Sequence, residues 1–210
     1  NERTTTPKKK FSFGTPLVIE VDGHQQVLCP GSNILSAFDP ADGHEIWHVL
    51  YEGYSVVPRP VFGQGLVFLC TGYDSPSLLA IRPDGQGDVT DTHIAWRLKK
   101  GVPLNPSPML VDNRLYMVSD NGVASCIDAP TGKVQWQKRL GGNFSASPVL
   151  AEGRIYFQNE AGEGIVIESG PKYVELSRND LGERTLASYG VVGDAFIIRT
   201  EHRLYRVAQQ

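Results

Sequence analysis

One short pattern returns along the chain at nearly even steps. TPLVIEVDG at 15–23, RPVFGQG at 59–65, SPMLVDN at 107–113 and SPVLAEG at 147–153 each set a proline second, then apolar residues, then a turn. The prolines stand at 16, 60, 108 and 148, giving steps of 44, 48 and 40 residues. ASYGVVGD at 187–194 comes 41 residues later with Tyr189 in the proline position. A repeat of about 40–50 residues is the period of a four-stranded propeller blade.

The segment after each copy repeats as well. GLVFLCTG at 65–72, RLYMVSDNG at 114–122, RIYFQNEAG at 154–162 and AFIIRTEH at 195–202 are rich in β-branched and aromatic residues and close on turn formers. Such segments read as second strands. Two-residue joins such as Asp112-Asn113 and Glu152-Gly153 make the first two strands of each copy an antiparallel hairpin.

The third and fourth strands carry the sharpest signature. NILSAFDPADGHEIWHVL at 33–50 aligns with GVASCIDAPTGKVQWQKRL at 122–140, placing Asp39 with Asp128, Gly43 with Gly132 and Trp47 with Trp136. The aspartate can cap its own turn, and the glycine admits a left-handed backbone there. The tryptophan enters the outer strand, where its ring can cover a neighbouring blade. SLLAIRPDG at 77–85 with HIAWRLKK at 93–100 keeps Gly85 and Trp96 around an insert, while GIVIESGPKYVEL at 164–176 lacks the tryptophan.

The Ala-x-Asp-x-x-x-Gly-x-x-x-Trp pattern resembles the pyrroloquinoline-quinone-like repeat, in which the tryptophans dock between blades. The resemblance runs from about Thr15 to Val207 and is nearest to propellers of the outer-membrane-assembly-lipoprotein type. RPDGQGDVTDTHIAW also looks like planctomycete-type secreted propellers. The fold expected is all-β, a β-propeller with four-stranded antiparallel blades over 15–210. The blades fall at 15–50, 56–100, 106–140, 146–176 and 186–208, the last with three strands. Because resembling propellers have seven or eight blades, these five are expected to be part of a larger ring. Residues 1–14 form an N-terminal segment, an edge strand or a linker. An open edge on the last blade would invite self-association or another part of the ring. The resemblance also implies a periplasmic or secreted setting.

Composition narrows the function classes. The formal net charge is −3 and no basic stripe is present, which argues against nucleic acid. No apolar run reaches the length of a membrane span. Cys29, Cys70 and Cys126 are widely spaced, each inside an apolar run, and read as small buried hydrophobes.

Quinone dehydrogenases of similar fold are expected to carry adjacent cysteines, a catalytic aspartate and carboxylate calcium ligands. This chain has no adjacent cysteines and no carboxylate in a matching motif, so no quinone, metal or other cofactor and no catalytic residue is assigned. The acids at 84, 88 and 91 do not have the spacing of an EF-hand loop and read as a solvated surface loop. His44 and His48 lie on one face of a strand and read as surface positions.

The function expected is a non-catalytic scaffold for a protein or carbohydrate partner, bound on loops between blades. Tyr51, Tyr54, Arg59, Lys99, Lys100 and Phe144 mark those loops. The alternative is an enzyme, a quinone-dependent oxidoreductase or a hydrolase, with its site at the propeller channel.

Overall fold

The structure, a computed structural model, describes residues 9–208, and among these it is all-β, with no helix. The first sheet is β1 (Leu17–Val21), β2 (His24–Gly31), β3 (Ile34–Phe38) and β4 (Glu45–Leu50). The second begins with β5 (Val61–Gly63), β6 (Leu66–Cys70) and β7 (Leu78–Ile81). After the short β8 (Gly87–Asp88) it ends in β9 (Ile94–Leu98). The third is β10 (Met109–Val111), β11 (Arg114–Val118), β12 (Val123–Asp128) and β13 (Val134–Arg139). The fourth is β14 (Val149–Ala151), β15 (Arg154–Gln158), β16 (Glu163–Glu168) and β17 (Glu175–Asp180). The fifth has three strands, β18 (Gly190–Val192), β19 (Ala195–Arg199) and β20 (Leu204–Ala208).

Apart from β8, neighbouring strands within each sheet keep chain order and their registers are antiparallel. The fourth-strand pairings share one irregularity. Ala37 pairs Trp47, Ala80 pairs Trp96, Cys126 pairs Trp136 and Val166 pairs Ser177, and a bulge comes directly after each pair. A bulge sharpens local twist and re-aims the side chain beside it. Ser177 therefore stands where the other three sheets carry tryptophan.

The chain divides into two compact units, residues 1–104 with 128–133, and residues 105–127 with 134–210. In the first, Leu28, Leu35, Trp47, Val67, Leu69 and Leu79 form one core. In the second, Tyr116, Val118, Phe144, Ile155, Phe157 and Ile165 form another. The middle strands β6 and β7 are buried at every position, whereas every residue of β17 is exposed. Strands covered on both faces read as continuous apolar runs, and LVFLC and LLAI do.

The insert corrects the sequence reading. Its acids Asp84, Asp88 and Asp91 are exposed, as a surface loop's would be, but β8 within it adds a fifth strand to the first sheet, parallel to β4, with Trp47 opposite Gly87 and His48 opposite Asp88. Val89 N donates to His48 O at 2.9 Å, and Leu50 N donates to Thr90 Oγ1 at 2.9 Å. Val89 is buried in the first core. The physical reason is that the outer edge of β4 has unpaired amides and carbonyls, which the insert satisfies. His48 is thereby covered too. Its side chain is 12% exposed and lies between Glu45 at 2.7 Å and Asp88 at 3.9 Å, so only His44 is a surface histidine of the two.

Candidate interaction surface

The repeat residues sit at turns and blade joints. Asp39 Oδ1 accepts from Ala41 N at 2.7 Å, and Asp128 Oδ1 accepts from Thr131 N at 3.1 Å and Thr131 Oγ1 at 2.5 Å. Gly43 and Gly132 take φ of 76° and 72°. Trp96 Nε1 donates to Ala129 O at 3.0 Å, and a Cβ on Gly132 would lie 2.6 Å from the Trp96 ring. Trp136 Nε1 donates to Gly170 O at 3.2 Å, a carbonyl that also accepts from Tyr116 OH at 3.2 Å. Trp47 reaches its turn through an intermediary. Its Nε1 donates to Gln26 Oε1 at 2.8 Å, and Gln26 Nε2 donates to Pro83 O at 3.2 Å. Trp47 is fully buried, while Trp96 and Trp136 are half-buried. Gly85 is small because a Cβ would strike Val89 and His93.

The six marked loop residues separate into three kinds. Tyr51 and Phe144 are core residues, a correction to their reading as loop contacts. Tyr51 OH donates to Gly31 O at 2.5 Å and Ile34 O at 3.1 Å, and Phe144 packs in the second core. Arg59, Lys99 and Lys100 are exposed. Tyr54 is half-buried in an aromatic cluster that the sequence reading did not find.

Three segments of the first unit build that cluster. The loop after β4 brings Tyr54, the loop after β6 brings Tyr73, and the segment before β1 brings Phe11 and Phe13. Tyr54 and Tyr73 form an isolated antiparallel bridge. Their loops approach closely because both carry glycine at the point of contact. A Cβ on Gly53 would lie 2.1 Å from Thr71 O, and one on Gly72 would lie 2.3 Å from Tyr54 O. The residue after each tyrosine, Ser55 and Asp74, is left-handed at φ of 52° and 72°. Non-glycine residues held there store of order 1 kcal/mol each, which a rigid surround must offset.

The segment before β1 is not a sheet strand over its described part. Phe13 N donates to Val56 O at 2.8 Å, Ser55 N donates to Phe11 O at 3.1 Å, and Ser32 Oγ donates to Lys9 O. Residues 1–8 of the expected edge strand lie outside the described residues. Ring centroids run Phe13 to Phe11 at 5.9 Å, Phe11 to Tyr54 at 5.7 Å and Tyr54 to Tyr73 at 6.2 Å. Lys9 Nζ lies 4.1 Å over the Tyr54 ring and donates to its hydroxyl at 2.7 Å. That bond raises the Lys9 pKa. Phe13 is 65% exposed, Phe11 46% and Tyr73 37%. The signal available in sequence was the alternation Phe11-Ser12-Phe13 in an otherwise polar stretch.

Among the described residues, one group of acids and histidine has ligand atoms within 4.8 Å of one another, Asp39, Asp42 and His44. Its atoms are already engaged in the turn. Asp42 Oδ1 accepts from His44 N at 2.9 Å and meets His44 Nδ1 at 2.7 Å, and these bonds hold the Asp42 pKa down. Of the acids in the insert, Asp88 Oδ1 accepts from Thr90 N at 3.0 Å and Thr90 Oγ1 at 2.5 Å, and Asp84 faces His93 at 3.6 Å.

Repeated antiparallel sheets with a tryptophan-bearing outer strand define a β-propeller of the pyrroloquinoline-quinone-like repeat class. The sequence profile of the family described as outer membrane protein assembly factor BamB matches residues 30–204, and the chain belongs to that family. BamB from Moraxella catarrhalis superposes with a TM-score of 0.65 at 15% identity, covering 89% of this chain and 53% of that one. A europium-containing methanol dehydrogenase gives 0.70 at 9%, covering 90% and 47%. The computationally designed Ika8 protein gives 0.69 at 10%, covering 91% and 57%. The chain thus spans about half the length of these structures, and at such identities the likeness is one of fold. No curated protein matches the chain in sequence.

Proposed function

We propose that this chain is a non-catalytic scaffold that works outside the cytoplasm and holds a protein partner on the face bearing Tyr54 and Tyr73. The observation that carries this reading is the exposed aromatic cluster on two loops braced through Gly53 and Gly72. Aromatic side chains offer large contact area with few rotatable bonds, and they dominate the energetics of protein interfaces. A rigid sheet scaffold carrying such loops lowers the ordering cost of binding. Membership of a family described as an assembly factor favours a protein over a small molecule, and an envelope setting. A larger ring is favoured on the same grounds, since the BamB structure is about twice as long as its matched part.

The test is photo-crosslinking in the producing cell. Benzoylphenylalanine in place of Tyr73 should give a discrete protein adduct in the envelope fraction. The same group in place of Lys138, exposed on β13, should not. Equal adducts at both positions, or none at Tyr73, would defeat the reading.

A further inference from the structure

We infer that the joint between the fourth and fifth blades binds a small, flat aromatic molecule of indole size, at a site separate from the aromatic face of the first unit. Two other joints of this chain are closed by an indole. Trp96 packs on Phe68 at 5.8 Å and donates to Ala129 O, and Trp136 packs on Tyr116 at 6.1 Å and donates to Gly170 O. In both, the indole stands on the outer strand, rests on an aromatic ring from the second strand of its own blade, and reaches the next blade. In the fourth blade Tyr156 holds the Tyr116 position, but Ser177 holds the Trp136 position. The supporting ring is kept and the indole is not.

A cavity lies where the third blade places its indole. One lobe, of about 460 Å³, is walled by Tyr156 of the fourth blade and by Val191, Phe196 and Val207 of the fifth. A second, of about 410 Å³, opens beside Ser177 over Val166 and Leu176. Arg154 and Tyr156 line both, so the lobes adjoin. Small-molecule pockets fall at about 300–1,000 Å³. The walls are also apolar surface that the preceding joint hides. Ile155 and Ile167 pair across β15 and β16, and both are fully buried. Phe196 and Val207 make the same pair in the fifth blade, where Phe196 is half-buried and Val207 is 47% exposed. A ring seated between the blades removes that surface from water.

The side chains present suit a flat ring with an N–H. Tyr156 and Phe196, 4.7 Å apart at 60°, offer an aromatic corner, and the Arg154 guanidinium can stack on an aromatic face. Ser177 Oγ accepts from Asn179 Nδ2 at 3.3 Å and keeps a second lone pair for a ring N–H. The ligand is a free molecule and not a tryptophan of a partner chain, because the backbone place is taken. β17 pairs with β16 from Glu175 to Asp180, and a foreign strand could present its indole from that position only by displacing β17. A detached ring needs side-chain space alone.

Fluorine NMR of 5-fluoroindole titrated with the full chain tests this. The resonance should shift and broaden saturably, with a Kd on the order of 0.1–1 mM, the scale for a ligand this small. Ser177→Trp supplies the ring from the chain itself and should weaken binding about tenfold or more. Glu20→Trp, exposed on β1, should leave it unchanged. Val207→Lys puts a charge on one wall and should also weaken binding about tenfold. Ser177 and Val207 are both exposed, so each variant should keep the parent circular dichroism. No saturable shift with the parent, or parent affinity in both folded variants, would overturn the inference. A blocked Ala-Trp-Ala peptide that binds more tightly than 5-fluoroindole, and competes with it, would overturn the assignment to a free molecule.

Discussion

Replacing Trp47 with phenylalanine should destabilise the chain more than the same change at Trp136, although the sequence treats the two positions alike. Trp47 has no exposed surface, and its indole N–H satisfies Gln26, itself 6% exposed. Phenylalanine leaves a gap and strips Gln26 Oε1 of the donor at 2.8 Å. Lost packing of about 1–2 kcal/mol and an orphaned buried amide oxygen of about 1–3 kcal/mol together give roughly 2–5 kcal/mol. Trp136 is half-buried, and Gly170 O keeps Tyr116 OH as a donor when the indole goes. That change should cost about 1–2 kcal/mol. Urea unfolding monitored by circular dichroism measures both, with equal m-values as the check that midpoints report stability. A double-mutant cycle of Trp47→Phe with Gln26→Leu should return a coupling of about 1–2 kcal/mol, since only the single variants strand one partner of the Trp47–Gln26 bond, while the loss of the donor to Pro83 O is common to both Gln26→Leu arms and cancels. Additivity within about 0.5 kcal/mol, or a Trp47→Phe loss no larger than that of Trp136→Phe, would refute the role given to the Trp47–Gln26 bond.

Gly72→Ala should lower stability by about 2 kcal/mol or more, read as a fall in Tm, because a left-handed residue whose Cβ meets Tyr54 O at 2.3 Å must move the loop. Thr90→Val should speed hydrogen exchange at the Leu50 amide, which donates to the Thr90 hydroxyl at 2.9 Å; unchanged protection would mean that the insert does not hold the β4 edge. Glu175→Gln should flatten the acid side of the stability curve. Arg178, whose Nε lies 2.5 Å from Glu175 Oε1, holds the Glu175 carboxyl below its ordinary range. The unfolded chain therefore binds more protons, and the stabilisation is present above about pH 4.3 and lost as pH falls through the folded value. The pair is partly exposed, so the effect should stay under about 1 kcal/mol, seen as parent and variant converging at low pH in thermal melts.

The blades were legible because their signals are local. A hairpin declares itself by a two-residue turn such as Glu152-Gly153, and the third-to-fourth turn by the aspartate and glycine that cap and bend it. The insert was not legible for the opposite reason. Gly87-Asp88 has little strand propensity, and it pairs because β4, some 40 residues earlier, offers an unpaired edge at Trp47 and His48. The aromatic face was hidden in the same way. Tyr54 reads as a loop residue, but Phe11 and Tyr73 come from other segments, and only Gly53 and Gly72 let the two tyrosine loops touch. Tyr51 and Phe144 misled because a loop position in sequence says nothing of which way the ring turns.

The lost tryptophan of the fourth blade shows how a repeat tolerates a change at a joint. In the third blade, Tyr116 and Trp136 pack together at 6.1 Å and both donate to Gly170 O. In the fourth, the matching positions are Tyr156 and Ser177, since Val149 pairs Tyr156 as Met109 pairs Tyr116. With a serine beside it, Tyr156 turns to the fifth blade, packing on Phe196 at 4.7 Å and on Tyr189 at 6.5 Å. Tyr189 donates to Gln158 Oε1, and burial pushes its pKa up to about 12. The aromatic contact has moved from the outer strand to the inner strands of the next blade. That shift accounts for an outer strand, β17, exposed along its whole length. It is held by Arg178, which donates to Leu140 O at 3.1 Å and Glu163 Oε2 at 3.2 Å, instead of by an indole.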